Sequence, residues 1–211
     1  YTVTYSGDGI NAGTYTVTVT GAGSYIGEAT NKPSYTIAQA TVTPSISGNT
    51  TKTYDGTTAA TGLTITLNGV VSDDSVTAVA DSYTYNSANV AEANTVTAND
   101  ITLSGADAGN YTLSATSATT SGIIEKANQT APTGVTGSYA VSSSDPSKFT
   151  YTVTAITGAE YKMDSGNWQD SNSFDGIEPG SSHTFSARLK ADENHNASTA
   201  TSSTATSPEL E

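Results

Sequence analysis

Apolar and polar residues alternate along most of the chain. Residues 1–5, 15–19, 63–67 and 149–153 carry Tyr, Val, Leu, Ile or Phe at every second position, with Thr between them. Because alternate side chains of a β-strand point to opposite faces, each run predicts a strand with one apolar face and one Thr face. Turn-forming residues separate the runs, and no segment keeps the i, i+3, i+4 spacing of an amphipathic helix. Short strands between turns predict an all-β chain of sandwiches or barrels.

Internal repetition favours sandwiches arranged in tandem. Residues 11–17 (NAGTYTV) closely match residues 107–113 (DAGNYTL), and residues 179–187 (PGSSHTFSA) are a more distant version. A second strand follows each copy, so we expect the same hairpin near the end of each of several units. The first unit has room for about three strands, which suits the C-terminal half of a sandwich and is marginal as a free domain. The predicted units are residues 1–39, 40–127 and 128–209.

Charge and composition exclude several classes of function. The formal net charge is −13 with only seven Lys and Arg residues, so we expect no binding to nucleic acid or to an anionic membrane surface, both of which need clustered cations. Mutual repulsion favours a soluble monomer. The chain has no Cys, which excludes disulfides and thiolate metal sites. No apolar run approaches the roughly 20 residues that span a bilayer, so we expect no membrane insertion.

The middle unit carries two motifs, KTYDGT at residues 52–57 and GADAGNYTL at residues 105–113. Through these motifs, and over about residues 41–127, it resembles the YDG repeat domain of bacterial surface proteins. The resemblance implies an immunoglobulin-like sandwich within an extended, multi-domain surface protein, often an adhesin, and it implies no catalysis.

The flanking units carry motifs of their own. The first unit has AGTY at residues 12–15 and YTI at residues 35–37, through which it is similar to the second half of the bacterial immunoglobulin-like repeats called MBG domains. The last unit is similar to fibronectin type III-like modules, through YKMDSGNW at residues 161–168 and IEPG at residues 177–180. Together, the resemblances favour tandem immunoglobulin-like β-sandwiches at a bacterial cell surface.

The YDG motif itself has a simple structural interpretation. Asp55 can accept a hydrogen bond from the backbone two residues on, Gly56 tolerates a positive φ, and Tyr54 would anchor the turn in the core. The alternative is a calcium or ligand role for Asp55, but Ca²⁺ takes six to eight oxygen ligands. Neither acidic pair, at Asp73-Asp74 or at residues 192–193, has the spacing of a calcium loop.

Three repeated positions predict a tyrosine corner, in which a buried Tyr sends its hydroxyl back to the backbone of the preceding turn. Tyr15 and Tyr111 follow the Gly of their repeats by two residues, and an apolar residue follows each Tyr by two. His183 occupies the position of that Tyr in the last unit, with Phe185 two residues on. We therefore expect His183 to pack under a turn rather than to bind a ligand.

No residue pattern indicates an enzyme or a cofactor. A catalytic or zinc role for His183 or His195, the only histidines, would need further ligands converging on them. Trp168, the only Trp, is the candidate ligand-binding residue because an exposed aromatic ring can stack on sugars; its alternative role is to cover the edge of the core. The sequence thus favours a structural stalk or spacer of an extracellular, adhesin-like protein. The alternative is a module that binds a glycan or a host protein.

Overall fold

The computed structural model describes residues 1–210, and it is nearly all β, which confirms the predicted fold class. The helical content described is one 3₁₀ turn at Ala108–Asn110. The chain divides into two compact units. Unit 1 holds Tyr1–Lys52, Thr57–Ala88 and Glu92–Ile123, and unit 2 holds Thr53–Gly56, Asn89–Ala91 and the chain from Ile124 onward. The module boundaries expected after residues 39 and 127 stay predictions.

The first 37 residues form an antiparallel three-stranded sheet with β2 in the centre. Its strands are β1 (Thr2–Tyr5), β2 (Gly13–Thr20) and β3 (Ser34–Ile37). The Thr–apolar alternation gives this sheet one face of Thr and Ser and one face of Tyr, Val and Ile. Most of its side chains are exposed or only half-buried, and Tyr15 is its single buried residue.

Residues 40–125 form short strands in several small sheets. Three strands make the sheet β11-β4-β6, three make β12-β9-β8, two make β10-β7, and β13 pairs with β5. Apolar side chains form the core, including Ala78 and Ala98 from β7 and β9 and Ile101 from the turn between β9 and β10. The strands are β4 (Ala40–Ser47), β5 (Thr51–Thr53), β6 (Thr64–Asn68), β7 (Thr77–Val79), β8 (Ser82–Tyr85), β9 (Thr95–Asn99), β10 (Thr102–Ser104), β11 (Tyr111–Leu113), β12 (Ala118–Ser121) and β13 (Ile123–Glu125).

The repeat at residues 107–113 does not form the expected hairpin. β11 pairs in parallel with β4, with Tyr111 opposite Ala40, whereas β12 pairs antiparallel with β9. The four residues between β11 and β12 cross from one sheet to another: the Ser114 amide donates to Val42 O at 2.9 Å and the Ile101 amide donates to Thr116 O at 2.8 Å. The corresponding pairs β2–β3 and β18–β19 are antiparallel neighbours.

Unit 2 is a sandwich of two three-stranded antiparallel sheets, β14-β15-β17 and β16-β18-β19. Phe185 lies at its centre with no exposed surface, and its ring stacks on that of Tyr151 at 3.9 Å between centroids. Aromatic and β-branched residues from both sheets complete the core. The strands are β14 (Gly137–Val141), β15 (Phe149–Val153), β16 (Ala159–Met163), β17 (Ser173–Ile177), β18 (Ser182–Leu189) and β19 (Thr201–Thr206).

The central position of Phe185 predicts a large loss of stability in unit 2 when its ring is removed. Phe185→Ala should lower the free energy of unfolding by about 3–5 kcal/mol, because the truncation leaves a cavity between the two sheets. Chemical denaturation followed by near-UV circular dichroism measures the change. The matched control is Val141→Ala in the same unit, where the side chain is 55% exposed and the expected loss is much smaller. Equal losses for the two variants would contradict the assignment of this core.

Candidate functional site

Tyr15 lies against the turn that precedes β2. Its hydroxyl donates to Asn11 O at 2.6 Å, which is the local corner bond expected from the sequence, and also contacts Asp8 Oδ1 at 2.9 Å. The same carboxylate accepts the amides of Ile10 and Asn11 at 2.9 and 3.1 Å. These backbone hydrogen bonds, with those of the side chains, hold the pKa of Asp8 well below its usual range. The polar groups around Tyr15 are therefore engaged in holding the turn.

Tyr111 is buried, but its hydroxyl does not return to the preceding turn. It accepts the amide of Val71 at 3.0 Å and donates to the carboxylate of Asp74, both in the loop between β6 and β7. The hydrogen bond to Asp74 raises the pKa of Tyr111, and burial adds to the shift. Asp107 closes the same loop by accepting the amide of Ser75 at 2.8 Å. The Asp73-Asp74 pair therefore lies in a loop that hydrogen bonds to Tyr111 and Asp107 hold in place. Within this loop, Asp73 has a φ of 77°, which is in the left-handed region.

The last unit has a tyrosine corner that sequence reasoning missed. Tyr161, in β16, donates its hydroxyl to Ile156 O at 3.2 Å and accepts the Ile156 amide at 2.6 Å. Its side chain is buried in the sandwich core. The available signal was Gly158 three residues before Tyr161, a turn residue followed by an aromatic, as at Tyr15 and Tyr111. Tyr161 therefore has the role that the repeat alignment gave to His183.

His183 sits instead in a Ser–His–Asp arrangement at the surface of unit 2. Its Nδ1 lies 2.7 Å from Asp164 Oδ2 and its Nε2 lies 3.0 Å from Ser181 Oγ, the connectivity of a hydrolase triad. The hydrogen bond from His183, with that from the Thr184 amide at 2.8 Å, holds the pKa of Asp164 below its usual range. The resemblance to a triad is limited to these two bonds.

Ser181 is not placed to act as a nucleophile. Its hydroxyl donates to Glu178 O at 2.6 Å, so the hydroxyl proton is directed at a carbonyl rather than at the imidazole. The neighbouring amides are also engaged, since the Gly180 amide donates to Pro208 O at 3.2 Å and the Ser181 amide to Ser207 Oγ at 3.1 Å. An oxyanion hole needs free donors beside the nucleophile. The geometry supports a structural role for His183, which joins β18 to the turn at Asp164.

The YDG motif forms a turn and gathers no ligand set. Gly56 has a φ of 78°, a conformation that favours glycine, and Asp55 is exposed. The Tyr54 ring meets the His195 ring edge-on at 5.1 Å. His195 is held in turn by Asp192, whose Oδ1 accepts the His195 amide at 2.7 Å and lies 2.9 Å from Nδ1. Throughout residues 1–210, no group of three or more acidic or His side chains is placed to bind a metal ion.

Trp168 is half-buried, and cations already lie over its ring. The Arg188 guanidinium lies 4.3 Å and the Lys162 ammonium 5.0 Å from the ring centroid. Arg188 also pairs with Glu160 at 2.6 Å, so its position over the ring is fixed by two contacts. Such cation–π contacts stabilise an exposed site by about 0.5–1 kcal/mol. The surroundings of Trp168 support a covering role at the edge of the sheet more than an open surface for stacking a sugar.

A cavity of about 370 Å³ in unit 1 lies where the first sheet meets the strands that follow it. The Asn110 side chain bridges this junction: its Oδ1 accepts the Ala12 amide at 2.7 Å and its Nδ2 donates to Asn11 Oδ1 at 2.7 Å. Gln39 adds a bond to Gly109 O at 2.9 Å. The cavity walls include the two carboxylates already engaged with Tyr111 and Ser75, together with short aliphatic side chains.

Comparison with known protein families finds a match in the middle of the chain. A YDG domain is found at residues 38–121. The match includes the Tyr54 turn, the loop that Tyr111 fastens and the parallel pair β4–β11. Among curated proteins, no sequence matches the chain. Across residues 1–210, no helix is long and apolar enough to cross a membrane.

The hydrogen bonds of the Tyr111 hydroxyl predict that its removal lowers the stability of unit 1. Tyr111→Phe should cost about 1 kcal/mol of unfolding free energy, because the Val71 amide and Asp74 lose their shared partner. Tyr111→Ala should cost roughly 3–5 kcal/mol, because the packed ring is lost as well. Urea denaturation of unit 1 measures both. Tyr35→Phe, on a ring that is 37% exposed, is the control and should change little; a Tyr111→Phe cost as small as that of the control would contradict the role of the hydroxyl.

Depressed carboxyl pKa values predict acid sensitivity of unit 2. Hydrogen bonds from Ser144 and Thr150 lower the pKa of Asp175, and those from Asn194 and His195 lower that of Asp192. A carboxyl with a lowered folded-state pKa stabilises the protein above its unfolded pKa of about 3.9 and loses that effect as the pH falls towards the folded value. The melting temperature of unit 2 should therefore fall as the pH drops from about 5 to 2. Asp175→Asn should reduce the slope more than Asp170→Asn, whose carboxylate pairs with Lys190 at the surface.

Proposed function

We propose that this chain is a non-catalytic, load-bearing spacer of a bacterial cell-surface protein of the adhesin-like class, and that it works outside the cell. The single observation that carries the proposal is the parallel pairing of early and late strands in the YDG region. β4, where this region begins, runs beside β11, and Thr50 O accepts the amide of Ile123 at 3.0 Å where β13 begins. β5 and β13 run in the same direction, because the Tyr54 amide also donates to Glu125 O at 2.8 Å, so that both strands advance together from one bond to the next. The chain therefore enters this region through β4 and β5 and leaves it through β13, which lies beside β5 and parallel to it.

Parallel terminal strands resist tension well for a geometric reason. When the two ends of the region are pulled apart, strands that run in the same direction must slide along each other. Every interstrand hydrogen bond between them is then loaded at once, because the bonds of a parallel ladder lie across the direction of sliding. In an antiparallel hairpin pulled from its open end, the bonds break one after another. A spacer that transmits force requires parallel terminal strands, whose hydrogen bonds are loaded together.

Residue chemistry supports the same role. The outward faces of the strands carry Thr and Ser, and the polar groups at each candidate site are engaged in holding turns. The YDG match at residues 38–121 supports a location at the cell surface, because the resemblance to YDG repeats implies a bacterial surface protein. Tandem immunoglobulin-like modules and a fibronectin type III-like last module are part of the proposal. Glycan binding at Trp168 is less favoured, because Arg188 and Lys162 already occupy the space over its ring.

Single-molecule force spectroscopy tests the proposal. Pulling the chain by its ends should give a force peak for the YDG region, with an increase in length of up to about 3.6 Å per residue released. Ile123→Pro removes the amide that donates to Thr50, and its side chain is exposed, so the variant should lower the peak force.

The control for the force experiment is Thr102→Pro in β10, which lies outside the parallel pairs. Proline costs stability in either strand, so the comparison is the loss of peak force at a matched loss of melting temperature. The proposal predicts a larger loss of force for Ile123→Pro. Equal losses, or a peak force that Ile123→Pro leaves unchanged, would contradict a load-bearing role for the parallel strands.

A further inference from the structure

An Asn–Gly pair lies at the end of strand β6, and it is the only such pair in the sequence. Asn68 is the last residue of β6, opposite Thr43 of β4, and both Asn68 and Gly69 are exposed. Within residues 1–210, no hydrogen bond engages the side-chain amide of Asn68 or the backbone amide of Gly69. The Asn68 carboxamide can therefore turn freely towards the nitrogen that follows it.

Gly69 leaves the approach to the Asn68 side chain open. Its φ is 96°, in the region that favours glycine, and it has no Cβ to shield its own nitrogen. A Cβ at this position would lie 3.2 Å from Thr41 O, so the close approach of β4 also disfavours a larger residue. The fold therefore favours glycine at the position where glycine makes the preceding Asn most reactive.

We propose that Asn68 is a site of spontaneous deamidation. The Gly69 amide loses its proton to hydroxide, and its nitrogen attacks Asn68 Cγ to close a five-membered succinimide ring, a step favoured by proximity within the chain. The bond from Cγ to Nδ2 breaks, and Nδ2 leaves as ammonia. Solvent water then opens the ring, giving aspartate by attack at the side-chain carbonyl or isoaspartate by attack at the backbone carbonyl. This modification is independent of the spacer role proposed above.

Asn86 shows how the fold restrains another exposed Asn of the same unit. Its Nδ2 donates to Glu92 O at 3.0 Å, and its Oδ1 accepts the amides of Asn94 and Thr95, each at 3.0 Å. The carboxamide must break these bonds before it can turn towards the nitrogen of Ser87. Three hydrogen bonds of ordinary strength should slow the ring closure by roughly one hundredfold. Asn86 is therefore a natural reference for the unrestrained Asn68.

Two Asp–Gly pairs could close the same ring, but their carboxylates are restrained and charged. Asp8, before Gly9, accepts two backbone amides of its turn, and Asp175, before Gly176, accepts the Ser144 hydroxyl at 2.6 Å. The hydrogen bonds that these carboxylates accept keep the pKa of both well below its usual range, so both groups stay ionised at neutral pH. A carboxylate is a much poorer electrophile than a carboxamide. Asn68 differs from these residues in both charge and restraint.

The isoaspartate product would disturb the end of β6. It adds one carbon to the backbone, so the residues that follow must shift relative to β4. Among them is Val71, whose amide donates to the Tyr111 hydroxyl at 3.0 Å. Formation of isoaspartate should therefore lower the melting temperature of unit 1. The variant Asn68→Asp adds the same charge without the extra backbone atom and should change the melting temperature much less.

Ageing of the whole chain at physiological temperature and mildly alkaline pH tests the proposal, with peptide mapping by mass spectrometry as the measurement. The peptide that contains Asn68 should convert first, to a mixture of aspartate and isoaspartate forms, with release of ammonia. The rate should rise with pH, because the attacking nitrogen must lose its proton. Asn68→Ser should remove the fastest-forming acidic species from an anion-exchange profile of the aged protein.

Ser87→Gly is the matched control, because it creates a second Asn–Gly pair at a restrained Asn. In the folded variant, Asn86 should deamidate roughly one hundredfold more slowly than Asn68, since only Asn86 must break three hydrogen bonds. In concentrated urea, where both restraints are lost, the two residues should react at similar rates. Equal rates in the folded variant would overturn the proposal. An Asn68 that stays intact in the folded protein while it converts in urea would overturn it as well.

Discussion

Buried tyrosines hold these sheets to their loops, and each one imposes a hydrogen-bonding constraint. The chain has 12 Tyr against three Phe and one Trp, so tyrosine supplies much of the aromatic volume of the cores. A buried hydroxyl without a partner costs roughly 1–3 kcal/mol, so every such ring must be met by a backbone or side-chain group. Tyr85 donates to Thr50 O at 2.8 Å, and Tyr15, Tyr111 and Tyr161 fasten turns or loops in the same way. The tyrosine hydroxyls therefore join these turns and loops to the sheets.

Several polar side chains at the candidate sites hold the turns and loops in which they lie. Carboxylates in these loops accept hydrogen bonds from nearby amides and hydroxyls, as Asp8 does in its turn and Asp107 does with Ser75. The two ring nitrogens of His183 likewise form hydrogen bonds with Asp164 and Ser181. A group that fixes a turn has its lone pairs and protons already engaged, so it is poorly placed to bind a ligand or to transfer a proton. The proposed spacer role is consistent with this use of the polar residues.

Sequence reasoning predicted the features that depend on neighbours along the chain. Alternation identified the strands, and the Tyr15 bond could be expected because its acceptor, Asn11, lies four residues earlier. The partners of Tyr111 lie in a loop about 40 residues away, and only the folded sheets bring the two together. The parallel pairing of β11 with β4 is equally long-range, since the repeat at residues 107–113 reads like the antiparallel hairpin strand at residues 11–17. Local sequence patterns predicted the strands, but they did not predict which strands pair with each other.

Thr-rich faces explain how a chain with only 13% charged residues keeps its strands in water. Cross-strand hydroxyl contacts line these faces, as between Ser45 and Thr66 at 2.8 Å and between Thr184 and Thr204 at 3.3 Å. Each hydroxyl can exchange such a contact for water, so the faces stay hydrated without charge and without a strong tendency to associate. The apolar side chains of the opposite faces cannot form hydrogen bonds with water, so these faces must be covered by another layer. This asymmetry holds for the cores of both units, and the apolar face of the β1–β3 sheet is subject to the same requirement.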